Sequence, residues 1–182
     1  MCEFISFFHK VSETETAELA FFDLTSHAKT EEELKLNKNL WREAHYTPNG
    51  KFELRFAPGD NVPELYNERF KERFPTFISF FDYAIPKVCK DGKYSGSLYL
   101  NGLTSAEGLK LPESIGGGLY LSGLTSAEGL KLPESIGGGL DLDGLTGAEG
   151  LKLPESIGGS LYLNGLTGAE REVIRKKGYK VY

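Results

Sequence analysis

Side chains that could perform acid–base or nucleophilic chemistry are concentrated before residue 50. The candidates are Cys2, His27, Glu43 and His45. Glu43 and His45 are two residues apart, so in a strand they share one face, and burial would shift both pKa values as a general acid–base pair requires. Removal of the initiator methionine would give Cys2 a free α-amine beside its thiol, which suits a nucleophile. A glutamate–histidine pair on a half-buried sheet is more often a satisfied polar contact, so catalysis is the minor alternative.

Glu43 and His45 lie in the first arm of a predicted β-hairpin. Asn49-Gly50 stands between two alternating runs, and both positions of such a two-residue turn need φ > 0. This turn predicts that His45 lies opposite Leu54 and Glu43 opposite Phe56. The apolar patterns predict strands over residues 2–8, 18–24, 41–47 and 51–57, and helices over 30–40, 63–74 and 75–90. Together they predict a small α+β domain, residues 1–94, of order ββαββαα.

Glycine usage marks a second domain, residues 95–182. Of the 22 glycines, 20 occur from Gly92 onward. Charge changes as well: residues 1–94 carry 13 basic and 16 acidic groups, net −3, whereas residues 95–170 carry 3 and 9, net −6. An acidic surface repels phosphate, so we expect no nucleic-acid partner. Residues 171–182 carry 5 basic and 1 acidic group, net +4, which fits a solvated helix end.

The second domain is built from a repeated unit that reads GLYLSGLTSAEGLKLPESIGG. Its first leucine recurs every 21 residues, at Leu98, Leu119, Leu140 and Leu161. A fixed period of this size predicts a solenoid, in which each repeat forms one coil and the coils stack to bury their leucines. The alternation in LYL and again in LKL predicts two short strands per coil. Proline after LKL would end the second strand, and the glycine pairs would form corners with φ > 0.

Residues that point outward from the first strands form the candidate binding surface. Tyrosine gives large contact area with few rotors, and it is joined here by asparagine and aspartate, which suits protein recognition. The carboxylates of Asp141 and Asp143 interrupt a near-identical repeat and could receive a basic side chain, although free drift of exposed positions would look the same. Two carboxylates are too few for a metal site. The partner-binding candidates are Tyr99, Asn101, Tyr120, Ser122, Asp141, Asp143, Tyr162 and Asn164.

The other outward column and the C-terminus have structural interpretations. Lys110, Lys131 and Lys152 recur between glutamates, which predicts a solubilising, charge-balanced row. After Ala169 the repeat is broken by a charged segment that predicts a short helix stopped by Gly178. Residues 178–181 align with residues 150–153, so the tail is expected to add a final second strand, with Lys180 extending the lysine column. This helix–strand cap would cover the end of the core.

The phrases LPESIG and LxLxGLT resemble those of bacterial leucine-rich repeat proteins over residues 97–170. The resemblance implies a right-handed solenoid that recognises proteins through its strand face. The strand motif is shorter than the usual LxxLxLxxN pattern. Both a curved horseshoe and a straighter β-solenoid are therefore compatible with the sequence. The N-terminal MCEFISFF, SHAKT and REAHYTPNG segments are similar to small uncharacterised proteins of bacteria and their phages. That similarity implies a setting of bacterial, phage or host conflict, and it brings no known activity with it.

These observations favour a non-enzymatic module that binds another protein. One alternative is a small enzyme in residues 1–94, with the solenoid presenting the substrate; another is a structural module that self-assembles. Two cysteines, with no metal-ligand spacing, predict neither a disulfide framework nor a cofactor. The N-terminus has no signal-peptide pattern and no apolar run of membrane-spanning length, so a cytoplasmic protein without membrane partners is expected, although a leaderless secreted effector would look the same. We expect a monomer or a weak end-to-end oligomer.

Overall fold

A computed structural model describes residues 5–10, 19–21, 41–46, 52–53, 72 and 74–182. The chain divides into two compact units, Met1–Phe80 and Phe81–Tyr182. Within the described residues, no helix is long and apolar enough to cross a bilayer.

The first unit contains one antiparallel sheet of order β2-β1-β3-β4. Its strands are β1 (Ile5–Lys10), β2 (Leu19–Phe21), β3 (Trp41–Tyr46) and β4 (Phe52–Glu53), and each overlaps one predicted strand segment. The predicted helix over 30–40 lies outside the described residues, as does that over 63–74 apart from residues 72 and 74. The order ββαββαα therefore stays a prediction.

The predicted register of the β3–β4 hairpin is wrong by one residue. Tyr46 pairs with Phe52 and His45 pairs with Glu53, whereas a two-residue turn would place His45 opposite Leu54 and Glu43 opposite Phe56. The reason lies in the residue before the Asn-Gly pair, which is Pro48. A two-residue hairpin needs an N–H donor at that flanking position, and proline has none. The segment between the paired residues is therefore 47–51, and the pairings of His45 and Glu43 deduced from the shorter turn fail with it.

Helix α1 (Phe77–Val88) confirms the helix predicted from the aromatic periodicity, and it spans the division between the units. It begins with reciprocal bonds: Ser79 N–H donates to Thr76 Oγ1 at 3.1 Å, and Thr76 N–H donates to Ser79 Oγ at 3.2 Å. In the second unit, Phe81, Ala84 and Ile85 of this helix are buried. A stripe of this spacing buries one helix face.

The second unit is a β-solenoid of about three coils with a 21-residue spacing. Two parallel sheets run along it, of order β12-β10-β8-β6 and β11-β9-β7-β5. The first contains β6 (Leu98–Tyr99), β8 (Leu119–Tyr120), β10 (Leu140–Asp141) and β12 (Leu161–Tyr162). The second contains β5 (Lys93–Tyr94), β7 (Ser114–Ile115), β9 (Ser135–Ile136) and β11 (Ser156–Ile157). The predicted solenoid, its period and its first strands are confirmed.

The second strand of each coil lies at Ser-Ile, and its prediction at Leu-Lys-Leu is wrong. Leu109 N–H donates to Ala106 O at 3.0 Å, so this segment closes a turn within its own coil. The hydrogen bonds between coils resume after the proline, where Glu134 N–H donates to Glu113 O at 2.8 Å and Gly137 N–H donates to Ile115 O at 2.8 Å. Proline has no N–H to donate to the neighbouring coil. It therefore stands just before the hydrogen bonds of the second-strand sheet begin, and it does not end a strand.

The core of the solenoid is a stack of leucines that are almost fully removed from water. In one coil Leu119, Leu121 and Leu124 are each 0% exposed. Burial of one such side chain contributes about 1.5–3 kcal/mol, so repetition in every coil makes this stack the main source of stability. The same leucines recur in the neighbouring coils at Leu98, Leu100, Leu140, Leu142, Leu161 and Leu163.

The glycine pairs are needed for close approach and not, as predicted, for positive φ. Among the described residues, the glycines with positive φ are Gly92, Gly108, Gly129, Gly150 and Gly178. At the pairs, the backbones of successive coils nearly touch: a Cβ built on Gly138 would lie 2.8 Å from the Gly118 nitrogen. Any larger residue would push the coils apart, which would break the bonds that join them.

The C-terminal coil contains the predicted helix, α2 (Gly168–Lys176), but continues a different sheet from the one predicted. Thr167 and Glu170 form a capping box, Ile174 is buried, and Gly178 follows with φ +96°. Val181 then pairs in parallel with Leu161, so the tail extends the first-strand sheet. The predicted place of Lys180 in the lysine column is therefore wrong. Val181 provides the buried apolar side chain that the first-strand register requires.

Candidate functional site

The outward residues of the first-strand sheet form a single column, which we call the tyrosine strip. Strand register places Tyr99 beside Tyr120, Tyr120 beside Asp141, and Asp141 beside Tyr162. Each residue follows a buried leucine, so the alternation of the strand turns all of them to the same outer face. Tyr182 is the last member, because Val181 pairs with Leu161. The strip is Tyr99, Tyr120, Asp141, Tyr162 and Tyr182.

Two tyrosines of the strip stack directly on each other. The rings of Tyr99 and Tyr120 have centroids 4.7 Å apart and planes 1° from parallel. Tyr120 also leans over Gly118, where a Cβ would lie 2.8 Å from its ring. Burial, followed by the neighbouring Tyr99, Tyr162 and Asp141, raises the pKa of Tyr120, so its hydroxyl stays protonated and can donate a hydrogen bond.

Tyr182 belongs to the strip and was missed by the sequence reasoning. Its ring centroid lies 5.8 Å from that of Tyr162, with planes tilted by 32°. Lys180 Nζ lies 5.4 Å from the same Tyr182 centroid, a cation–π contact within the chain. The signal was the apolar-then-tyrosine dipeptide of residues 181–182, which copies that of residues 161–162.

A row of short polar side chains runs beside the strip and joins the coils. Ser122 N–H and Oγ both donate to Asn101 Oδ1, at 3.3 and 3.0 Å. Asn164 N–H donates to Asp143 Oδ1 at 2.9 Å, and its Nδ2 donates to both Asp143 oxygens. The Asp143 carboxylate is thus hydrogen-bonded to the next coil, and it helps to hold the two coils together.

Asp141 accepts the hydrogen bond for which the polar row has no acceptor in this coil. Asp143 N–H donates to Asp141 Oδ1 at 3.0 Å, the only bond of this row that forms inside one coil of the described solenoid. Ser122 does not take this role as Asn101 does one coil earlier, because its hydroxyl is directed back to the preceding coil, where it donates to Asn101 Oδ1. Burial, and then the nearby Asp143, raise the pKa of Asp141, while the bond from Asp143 N–H lowers it.

The missing ring at Asp141 leaves an open groove between two tyrosines. Its volume is about 410 Å³, and it is lined by Tyr120, Gly139, Asp141, Asp143, Ser160 and Tyr162. Its walls are the rings of Tyr120 and Tyr162, and its floor carries the carboxylates of Asp141 and Asp143. None of these described lining residues is cationic. An arrangement of this kind favours a cation with an apolar or planar surface.

No family model, curated protein or solved structure matches the chain. The chemistry of the tyrosine strip and its groove therefore carries the functional inference.

The second-strand sheet presents a different surface. A shallow depression of about 350 Å³ there is lined by the Ser-Ile-Gly segments of three coils, at residues 114–116, 135–137 and 156–158. Lys110, Lys131 and Lys152 are exposed, and Lys110 Nζ donates to Asp82 Oδ2 at 2.6 Å, where the sequence predicted glutamate partners. This side has neither aromatic walls nor a charged floor.

The structure describes two of the four reactive candidates of the N-terminal region. Cys2 and His27 lie outside the described residues. Glu43 and His45 both lie on β3, where their backbones pair with those of Phe8 and Ser6. Within the described residues, no group of three or more His, Cys, Asp or Glu could hold a metal ion. The enzyme hypothesis stays a prediction.

Proposed function

We propose that the protein is a non-enzymatic module that binds another protein through the tyrosine strip. The observation that carries this proposal is the exposure of aromatic side chains on one sheet of the solenoid. Of the three large apolar side chains that are exposed among the described residues, two belong to the strip: Tyr162 at 37% and Tyr182 at 51%. Tyrosine on a rigid scaffold provides contact area at low entropic cost, which is typical of protein-binding surfaces.

The scaffold supports this use because it fixes the rings before a partner arrives. Tyr99 and Tyr120 rest on each other at 4.7 Å, and the strand beneath them is held by leucines that are fully buried. A side chain that is already ordered loses little further freedom on binding, so more of its contact energy is available for affinity.

The test is capture of a partner from extracts of the source organism by immobilised protein. The variant Tyr99→Ala, Tyr120→Ala, Tyr162→Ala should lose the captured protein, whereas Lys131→Ala, Lys152→Ala, which alters the other side, should retain it. Loss of one stacked pair costs about 0.5–1.5 kcal/mol, so both variants should remain folded by circular dichroism. Equal capture by the folded tyrosine variant would refute the proposal.

We further propose that the solenoid is of the leucine-rich repeat type and acts in the bacterial cytoplasm, in conflict between bacteria, phages or hosts. The LPESIG phrase supports the kinship, since it contains Ser114-Ile115 or its equivalent, the second strand of each coil. The setting rests on the sequence resemblance. Expression of the chain in bacteria, with and without phage infection, and comparison of growth would test the setting.

A second candidate function, self-association, is favoured by the outer edge of β11. Within the described solenoid no strand pairs with this edge, and Ile157 is half-buried although its counterparts Ile115 and Ile136 are buried. An exposed sheet edge is a template for another strand. Two copies related by a twofold axis could pair here through the Ile157 peptide groups. Light scattering at rising concentration should then show dimers that Ile157→Asp abolishes; a constant monomer mass would refute this candidate.

A further inference from the structure

The groove at Asp141 lies where the tyrosine strip lacks one ring. Tyr120 and Tyr162 flank it from the two neighbouring strands, so two strand spacings, about 9.6 Å, separate their positions. The Tyr99 and Tyr120 rings, one strand apart, stand 4.7 Å apart and parallel. A flat group at the Asp141 position would therefore lie one strand spacing from each neighbouring tyrosine, the spacing at which the Tyr99 and Tyr120 rings stack.

The floor of the groove offers one uncommitted carboxylate oxygen. Asp141 Oδ1 accepts from Asp143 N–H at 3.0 Å, while Oδ2 has no hydrogen-bond partner among the described residues. The Asp143 carboxylate is held by Asn164 Nδ2, with 2.9 Å to each oxygen. Arg171 Nη1 donates to Asn164 Oδ1 at 3.5 Å, and among the described residues no lysine or arginine forms an ion pair with Asp141. The negative charge of Asp141 thus remains available to a guest.

We propose that this groove binds the guanidinium group of an arginine from the protein partner, between Tyr120 and Tyr162 and over Asp141. The proposal rests on the proposed function and names the partner group that the strip recognises. A guanidinium is planar, stacks on aromatic faces, is weakly hydrated and presents N–H donors in its own plane. It can therefore contact both rings with its faces and Asp141 Oδ2 with its edge.

Other guests match the groove less well. An aromatic side chain would fill the gap but would cover the Asp141 carboxylate without a donor for it, which is unfavourable. A lysine ammonium would satisfy the charge, but it is compact, strongly hydrated and has no plane to place between the rings. A metal cation would find too few oxygen ligands, since Asp143 is already engaged. The strip already holds one cation elsewhere, where Lys180 Nζ lies 5.4 Å from the Tyr182 ring centroid.

The experiment titrates the isotope-labelled full chain with three blocked tripeptides, Gly-Arg-Gly, Gly-Lys-Gly and Gly-citrulline-Gly. Citrulline keeps the plane and size of arginine but has no charge. The arginine peptide should shift the amide signals of residues 139–143 and 160–164 with millimolar affinity, and the citrulline and lysine peptides should bind at least about tenfold more weakly.

Two variants locate the effect. Asp141→Asn keeps the shape of the floor and removes its charge, so it should weaken arginine binding at least about tenfold; Asp141→Tyr fills the gap and should abolish it. Glu134→Gln, which removes one negative charge from the other side, should change nothing. Absence of arginine-induced shifts, equal binding of citrulline, or full binding to Asp141→Asn would overturn the proposal.

The outcomes separate this proposal from the function on which it rests. If the tyrosine variant loses partner capture while Asp141→Asn keeps it and no arginine peptide binds, the strip binds a protein but not through an arginine, and only the present proposal fails. If the tyrosine variant keeps capture, the proposed function fails whatever the peptide titrations show.

Discussion

Asp143 N–H donates to Asp141 Oδ1 of its own coil, whereas one coil earlier Ser122 N–H donates to Asn101 Oδ1 of the preceding coil. The difference arises at position 122, where the serine hydroxyl donates back to Asn101 Oδ1 and the next amide has no acceptor from the preceding coil. Asp141 supplies that acceptor from within the coil, and in doing so removes a ring from the strip. The break in the aromatic column and the change in the polar row are one coupled feature.

This coupling predicts that the regular arrangement can be restored by two substitutions together. Asp141→Tyr alone should leave stability nearly unchanged, because the ring gained is offset by the lost acceptor for Asp143 N–H. Ser122→Asn provides an acceptor like Asn101, so the double variant should gain about 1 kcal/mol beyond the sum of the single variants. Urea unfolding of the four proteins gives this coupling energy. Strict additivity would contradict the coupling.

The second prediction concerns the close approach of the coils at the glycine corners. A Cβ on Gly137 would overlap the Gly116 carbonyl oxygen of the preceding coil, whereas a Cβ on Gly147 meets nothing within 4 Å, and neither glycine has positive φ. Gly137→Ala should therefore lower the free energy of unfolding by about 1–3 kcal/mol. Gly147→Ala should raise it by about 0.4–1 kcal/mol, because it restricts only the unfolded chain. Thermal and urea unfolding measure both; similar losses at the two positions would mean that contact between coils is not the cause.

The first-strand sheet could be predicted from the sequence because its period is set by leucines, whose side chains have only one favourable location, the core. Leucine at residues 98, 119, 140 and 161 must be buried, and the residue after each must then point outward. The second strand was misplaced because Leu-Lys-Leu shows the same alternation as Leu-Tyr-Leu. Only the hydrogen bonds show that the former closes a turn, with Leu109 N–H bound to Ala106 O.

The candidate site was predictable in its members but not in its shape. Register alone aligned Tyr120, Asp141 and Tyr162, and the break at Asp141 was visible in the sequence. Tyr182 was missed because Val181, which pairs with Leu161, follows it by 20 residues, one fewer than the repeat. The shorter spacing favoured the false alignment of residues 178–181 with residues 150–153. The groove and the engagement of Asp143 by Asn164 depend on side-chain reach, which a one-dimensional pattern does not contain.

The third prediction uses the capping box of α2. Glu170 Oε2 accepts from Thr167 Oγ1 and N–H at 2.6 and 2.9 Å, and Oε1 accepts from Ala148 N–H of the preceding coil at 3.0 Å. These bonds, the one from the Thr167 side chain foremost, lower the pKa of Glu170. A carboxyl group whose pKa is lower in the folded state stabilises the fold above its unfolded pKa, about 4.3, and loses that contribution as pH falls through the folded pKa.

Glu170→Gln should therefore be less stable than the parent protein at neutral pH, and the difference should vanish in acid. Denaturant unfolding over a series of pH values measures it. Glu172→Gln is the matched control on the same helix, because Glu172 makes only an exposed contact of 3.7 Å with Arg175. A difference between Glu170→Gln and the parent that does not depend on pH would show that the capping bonds do not favour the charged form.

The last prediction is the pH dependence of arginine binding at the groove. Burial foremost, and then the charge of Asp143, raise the pKa of Asp141, so this carboxylate takes up a proton at a higher pH than an ordinary aspartate. Its protonation removes the charge that pairs with the guanidinium, so binding should weaken on acidification while ordinary surface carboxylates are still charged. The other groups at the groove are Asp143, held by Asn164, and the Tyr120 and Tyr162 rings; the raised pKa of Tyr120 keeps it neutral over this range. Peptide titrations at several pH values, with the Asp141 carboxyl carbon shift recorded in parallel, should give coincident midpoints. Asp141→Asn should bind weakly at every pH, and arginine binding to the parent protein that does not weaken on acidification would contradict this prediction.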